Sequence, residues 1–129
     1  MEPTTLDGPI ELALPADSRM LRLVRLVASG LASTIGLDVD ELDDLRIAVD
    51  EAVAALLEGG DGSRLELRFE VDAEAVTMAA TVPAGGAPLD PERLEWSKQL
   101  LGAVCDEHQL EVDDGKVQVS FTKRRSTAA

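Results

Sequence analysis

Apolar and polar residues alternate with a period of two in five segments, a pattern typical of strands with one buried face. The first segment is Ile10–Leu14, and Pro15 ends it. The short connection 72–75, between two such segments, predicts an antiparallel hairpin, and Asp113-Asp114-Gly115 predicts a second one. The four later segments are residues 65–71, 76–82, 110–112 and 117–122.

Apolar residues at three- and four-residue spacing predict three helices with one buried stripe each. Asp17 or Ser18 can cap the first helix, and Gly36 ends it. Asp38 begins the second helix, and His108 is predicted to end the third as a cation near its C-terminus. The helices are expected over residues 18–35, 38–58 and 91–107.

The element order is therefore β-α-α-β-β-loop-α-β-β, which lacks regular βαβ alternation. Such an order predicts an α+β fold, a two-layer sandwich with helices on one face of a mostly antiparallel sheet. A length of 129 residues fits one domain. We expect its core over residues 10–124, with polar, frayed ends over 1–8 and 126–129.

Charge and composition narrow the range of partners. The net charge is −13, and the chain has two Phe, one Trp and no Tyr. A phosphate backbone would be repelled and bases would find few aromatic rings, so direct nucleic-acid binding is not expected. Cys105 is the single cysteine, which fits a reducing cytoplasm and a small core residue. We expect no signal peptide, and no apolar run is long enough for a membrane span, so we expect a cytoplasmic protein that does not bind membranes.

Residues 45–58, Leu-Arg-Ile-Ala-Val-Asp-Glu-Ala-Val-Ala-Ala-Leu-Leu-Glu, are the most specific motif of the chain. They resemble the ATP-site helix of the RsbW-like anti-sigma factors, in the superfamily of Hsp90 and the histidine kinases. The resemblance covers about residues 10–124. In that family the helix carries Glu-x-x-x-Asn, where Glu activates a hydroxyl or water and Asn holds Mg²⁺. Glu51 matches the Glu, but Ala55 stands where the family has Asn, and a methyl group cannot ligate a hard cation.

The loop over residues 84–91 resembles the adenine-binding loop of the family, Asp-x-Gly-x-Pro-Phe-Asp-Pro. Gly86 and Pro88 match the pattern, and Ala84 replaces the Asp that accepts a hydrogen bond from adenine. The loss of such an acceptor costs about 1–3 kcal/mol. Gly86, like Glu51, is therefore a candidate nucleotide-binding residue only by resemblance.

A glycine-rich stretch wraps the phosphates in active members, and residues 92–102 stand in its place. They contain no Gly-x-Gly, and Glu92 and Glu95 would repel phosphate there. The segment with Trp96 is similar to that of actinobacterial members. With its metal, adenine and phosphate positions all altered, the site is expected to hold no cofactor, with ATP and Mg²⁺ as the alternative. No metal ligand is assigned, and Glu51 would be a vestigial general base.

Three arginines on the first helix form the candidate partner surface. Arg19, Arg22 and Arg25 recur at steps of three, which gives an oblique basic ridge suited to an acidic patch. By resemblance, Arg22 matches an arginine that contacts the sigma factor. The alternative is that the ridge pairs with acids of the second helix.

The resemblance implies an anti-sigma factor that sequesters an alternative sigma factor of the stress or development type. Its further partners would be a STAS-type anti-anti-sigma protein, which releases the sigma factor, and a second copy of the chain in a homodimer. Two other functions stay open. The chain could be an ATP-dependent serine kinase acting on the STAS-type protein, or an adaptor on this fold that binds neither protein.

Overall fold

The computed structural model describes residues 8–86, 89–113 and 115–126. Their element order confirms the predicted α+β fold. The strands are β1 (Ile10–Pro15), β2 (Arg64–Val71), β3 (Ala75–Pro83), β4 (Glu107–Asp113) and β5 (Lys116–Arg124), and the helices are α1 (Leu21–Ile35), α2 (Val39–Gly59) and α3 (Pro91–Val104).

The five strands form one antiparallel sheet in the order β1-β2-β3-β5-β4. The alternation seen in the sequence fixes which face is buried. Leu67 lies opposite Ala80 and Met78 lies opposite Phe121, and all four are buried. The charged residues that alternate with them on β2 are exposed on the other face, as expected for a sheet covered on one side.

The three helices cover the buried face of the sheet. Helix α2 packs between α1 and α3 and also contacts β5 and β3. This central position explains why its buried stripe is wide and rich in alanine, since small side chains let neighbouring helices approach closely. The largest fully buried side chains lie between the two layers: Phe69, Phe121, Leu45, Leu56, Leu65, Met78 and Leu101.

The ends of the first two helices follow the predicted signals with one difference. Asp38 accepts a hydrogen bond from the Glu41 N–H, and the Glu41 side chain accepts one from the Asp38 N–H, which completes a capping box. Gly36, at φ 75°, ends α1 in the left-handed conformation. Asp17 does not cap α1 itself, because its side chain caps a short 3-10 helix over Ser18–Met20 that precedes it.

The predicted end of the third helix is wrong. Helix α3 stops at Val104, and His108 lies in β4 instead of serving as a C-terminal helix cation. The reason is a competing backbone partner: the Asp106 N–H donates to the Thr122 carbonyl at 3.0 Å, which draws the chain into pairing with β5. Sheet formation therefore overrides helix propagation at this point.

Some sequence predictions fall outside the described residues, namely the frayed ends over 1–7 and 127–129, Pro88 in the loop and Asp114 in the second turn. The neighbouring Gly115 adopts φ 80°, as a tight hairpin between β4 and β5 requires. Among the described helices, none combines the length and apolar character needed to cross a bilayer.

Candidate functional site

Helix α2 places Glu51 and Ala55 one turn apart on its buried side. Glu51 is 8% exposed and Ala55 is 1% exposed. Residues four apart lie on the same face of a helix, so both positions point toward the space that α3 borders. The methyl group of Ala55 packs in the hydrophobic core. Of these two residues of α2, only Glu51 is charged.

The Glu51 carboxylate is bound by two side chains of α3. Its Oε2 atom accepts a hydrogen bond from Arg93 Nη1 at 2.6 Å and another from Ser97 Oγ at 2.6 Å. Arg93 Nη1 also donates to Ser97 Oγ at 2.9 Å. Arg93 and Ser97 are four residues apart and share one face of α3, which explains how they reach the same carboxylate. We call Glu51, Arg93 and Ser97 the Glu51 cluster.

Arg93 also joins α3 to the end of α2. Its Nε atom donates to Glu58 Oε2 at 2.6 Å, and Glu58 lies seven residues, or about two turns, after Glu51. Burial acts to lower the pKa of Arg93, but the hydrogen bonds to Glu51 and Glu58 outweigh it and raise the pKa above its ordinary value. The guanidinium therefore stays charged and bridges two carboxylates.

Backbone hydrogen bonds tie Ala84 to the turn between β4 and β5 and tie Gly85 to the end of α2. The Ala84 N–H donates to the Gly115 carbonyl and the Gly85 N–H donates to the Gly59 carbonyl, each at 2.8 Å. A Cβ atom on Gly85 would come within 2.6 Å of the Gly60 carbonyl oxygen, so this position requires glycine. The Leu89 side chain fills the space beside Gly59, since its Cγ atom lies 3.1 Å from where a Cβ atom on Gly59 would be.

The residues around Glu51 do not provide the donors that a magnesium ion bound to a nucleotide needs. The Ala55 side chain has no oxygen, and the Glu51 Oε2 atom already accepts two hydrogen bonds. In the part of the chain that the structure describes, no group of three His, Cys, Asp or Glu side chains could hold a metal ion. Every buried side-chain polar atom in these described residues has a hydrogen-bond partner.

Arg93 and Ser97 are the two residues of this site that the sequence patterns did not single out. The acids noted in the same segment, Glu92 and Glu95, are exposed, and it is Arg93 that turns toward Glu51. The segment belongs to α3 itself, which begins at Pro91. The four-residue spacing of Arg93 and Ser97 places them on one face of a predicted helix. That spacing alone does not show that this face is turned toward α2. Gly86 is exposed with open space around its Cα, and no hydrogen bond links it to the Glu51 cluster.

The three arginines of the predicted ridge have different surroundings. Arg19 forms an ion pair with Asp17 at 2.7 Å, and Arg25 forms one with Asp50 of α2 at 2.7 Å. Pairing with the second helix is therefore realised at Arg25. Arg22 is exposed and has no ion pair among the described residues, so it is the member of the ridge whose charge is not matched within this part of the chain.

The acid Asp17 and the thiol of Cys105 have shifted pKa values. Hydrogen bonds from Arg19 lower the pKa of Asp17 to about 2. Burial raises the pKa of Cys105 to about 12, so this thiol is neutral at physiological pH and packs against the core as predicted. Neither group takes part in the Glu51 cluster.

Comparisons with known proteins agree with the fold and with the motif on α2. The family model of the histidine kinase-like ATPase domain matches residues 14–123. The serine-protein kinase RsbW of Bacillus licheniformis is 44% identical over 136 residues, covering 88% of this chain and 84% of that protein. The serine-protein kinase RsbW of Halalkalibacterium halodurans is 31% identical over 133 residues, covering 88% of this chain and 82% of that protein.

A solved structure has the same fold. It contains the RsbU and RsbW domains of Rv1364c from Mycobacterium tuberculosis, and it superposes with a TM-score of 0.76 at 20% identity. The match covers 95% of this chain and 34% of that longer chain. Together with the family model and the two relatives, it shows that this chain is an RsbW-like member of the histidine kinase-like ATPase domain family.

Proposed function

We propose that this chain is an anti-sigma factor that sequesters an alternative RNA polymerase sigma factor, of the stress or development type, by direct contact and without a nucleotide. Release would come from a STAS-type anti-anti-sigma protein that competes for the bound chain. The protein would act in the cytoplasm as a homodimer.

The Glu51 cluster is the observation that carries this proposal. A kinase in this family needs its acidic residue free to meet a hydroxyl or water, and it needs a metal to hold the phosphates. Here the carboxylate is bound by Arg93 and Ser97 at 2.6 Å each, and Ala55 replaces the metal ligand. A hydroxyl or water could reach the Glu51 Oε2 atom only by displacing Arg93 or Ser97. We infer that the site is degenerate and that the hydrogen bonds from α3 to Glu51 keep it closed.

Helix α1 supplies a surface suited to a protein partner. Leu26 is 63% exposed and Leu23 is 42% exposed, and Arg22 precedes Leu26 by four residues, on the same face of the helix. An exposed apolar pair beside an unmatched arginine is typical of an interface with an apolar centre and a charged contact. This surface would take an acidic patch of the sigma factor, with Arg22 as its main ionic contact.

The overall charge of the chain supports fast association with such a partner. Sigma factors carry basic surfaces for DNA, and a protein with a net charge of −13 attracts them over long distances.

The ion pair between Arg25 and Asp50 is exposed at both side chains. It contributes little to folding and can exchange for a partner's carboxylate.

A second candidate function is an ATP-dependent serine kinase that acts on the STAS-type protein. Two observations favour it: Glu51 is retained, and both relatives described above are serine-protein kinases by name. This function requires α3 to move so that Arg93 and Ser97 leave the carboxylate.

One experiment separates the two functions. The purified chain is stripped of metal with EDTA and mixed with each sigma factor of its source organism, and complexes are detected by size-exclusion chromatography. The proposal predicts one stable complex without nucleotide. A parallel reaction with labelled ATP, Mg²⁺ and each STAS-type protein of that organism should leave every serine unlabelled. Transfer of phosphate to a serine would establish the kinase instead, and failure of every sigma factor to bind would leave the adaptor function.

A further inference from the structure

The chain has a single tryptophan, Trp96, and its side chain is on the surface. It is 58% exposed, on the outer face of α3. Trp is among the residues that contribute most to protein–protein affinity, because it buries a large apolar area and also offers an N–H donor. Tryptophan is highly buried on average, so the large exposed fraction of Trp96 is unusual.

The residues that share this face are acidic, polar or small. Glu92 precedes Trp96 by one helical turn, Glu95 adjoins it, and Gln99 and Ala103 follow at helical spacing; all of these are exposed. Neither acid has an ion pair within the described ranges of the chain. We call Glu92, Glu95, Trp96, Gln99 and Ala103 the Trp96 face.

The two basic residues of α3 do not neutralise this face. Arg93 points inward and is held by Glu51 and Glu58 at 2.6 Å each. Lys98 is partly buried and borders a groove on the side of β4, next to His108 and Gln109. The acids therefore present uncompensated negative charge around an exposed aromatic ring.

We propose that the Trp96 face is a docking surface for a basic segment of a partner protein. An arginine or lysine of that segment would lie over the indole ring as a cation–π contact. Glu92 and Glu95 would form ion pairs with this basic residue, and an apolar residue of the segment would pack on Trp96 and Ala103. The argument rests on charge complementarity. A neutral or acidic segment would leave both acids unpaired in the interface.

This surface is separate from the one on α1. Helix α2 lies between α1 and α3, and the two surfaces carry opposite charge, with Arg22 on α1 and Glu92 and Glu95 on α3. The proposal therefore goes beyond sigma-factor binding through α1, and it holds whichever protein contacts Arg22. It gives the chain a second contact surface of a different chemistry.

The test uses the fluorescence of Trp96, which reports on this face alone. The probe is a helix-forming peptide of about 14 residues with arginines along one stripe and leucines along the next; a second peptide has glutamate in place of each arginine. We expect the arginine peptide to shift the emission to shorter wavelength and to saturate, and the glutamate peptide to give no shift. No saturable shift with the arginine peptide would overturn the proposal. An emission that depends on protein concentration without peptide would also overturn it, because the face would then be covered by a second copy of the chain.

Charge reversal distinguishes this surface from general attraction to an acidic protein. The variant Glu92→Lys/Glu95→Lys should bind the arginine peptide at least about tenfold more weakly. Its matched control is Glu11→Lys/Glu66→Lys, which changes the net charge equally at two exposed sheet positions. By calorimetry, Trp96→Ala should weaken binding by about thirtyfold. Far-UV circular dichroism checks that each variant is folded. Equal losses in the double variant and its control would contradict the proposal.

Discussion

Glu51 shows how the role of one residue depends on its neighbours. The same carboxylate on a histidine kinase-like fold can act on a substrate when it is free, but here Arg93 and Ser97 occupy it at 2.6 Å. A buried ion pair of this kind contributes little net stability compared with apolar residues, but removal of one partner leaves a buried charge uncompensated. The cluster should therefore be sensitive to the loss of Arg93.

The first prediction concerns that loss. We expect Arg93→Ala to lower the free energy of unfolding by about 3 kcal/mol, because Glu51 would stay buried without its cation. The matched control is Arg68→Ala, which removes an exposed arginine paired with Glu70 at 3.0 Å and should cost no more than about 1 kcal/mol. Urea denaturation of both variants measures the difference. A loss for Arg93→Ala no greater than for the control would mean that the cluster is not a structural lock.

The sequence locates the residues that α2 contributes to this site, but not those that α3 contributes. Glu51 and Ala55 could be located because both lie within one helix, where spacing alone determines their relation. The contact between Glu51 and Arg93 joins residues 42 apart in the chain. It depends on how α3 is rotated against α2, which local periodicity does not specify. Local periodicity therefore does not identify Arg93, and the neighbouring acids Glu92 and Glu95 lie on the solvent side of the helix.

At the scale of elements, hydrophobic periodicity predicts most of the helices and strands. The buried stripe of α2 and the alternating strand β2 correspond closely to the predicted segments, because each has a regular period over several residues. Boundaries that depend on a contact with another element were less predictable. The end of α3 at Val104 is one case, since the Asp106 N–H pairs with Thr122 of β5. The short 3-10 helix before α1 is another, where Asp17 caps a turn instead of the main helix.

The second prediction tests the start of α2, the helix that carries Glu51. Asp38→Ala removes the side chain that accepts the Glu41 N–H at 2.8 Å, and the loss of such a cap typically costs about 1 kcal/mol. Asp40→Ala serves as the control, because Asp40 is exposed in the same first turn but does not cap the helix, so its loss should stay within about 0.5 kcal/mol. Thermal unfolding followed by circular dichroism compares them. Equal effects would show that the capping box does not stabilise α2.

At the scale of the whole molecule, the helix layer separates the two proposed contact surfaces. Arg22, Leu23 and Leu26 lie on α1, the Trp96 face lies on α3, and α2 with the Glu51 cluster lies between them. This arrangement agrees with the proposed function, in which the chain holds partner proteins. The surfaces could not be predicted completely from the sequence, because exposure of Leu26 or Trp96 depends on how each helix sits on the sheet.

The third prediction tests the α1 surface. Arg22→Glu should weaken sigma-factor binding by about 2 kcal/mol or more, because an unfavourable charge would face the partner's acidic patch. The control is Arg68→Glu, the same charge change on the open face of the sheet, which should leave affinity nearly unchanged. Surface plasmon resonance with the sigma factor that forms the complex measures both. An unchanged affinity for Arg22→Glu would exclude Arg22 as a contact.

The central proposal is that Arg93 and Ser97 close the candidate nucleotide site, and calorimetric titration with Mg-ATP tests it most directly. The RsbW of Bacillus licheniformis serves as the positive control, since it is a serine-protein kinase by name. The account predicts no saturable heat for this chain at nucleotide concentrations up to about 1 mM. A single-site isotherm with a dissociation constant well below about 1 mM would contradict it.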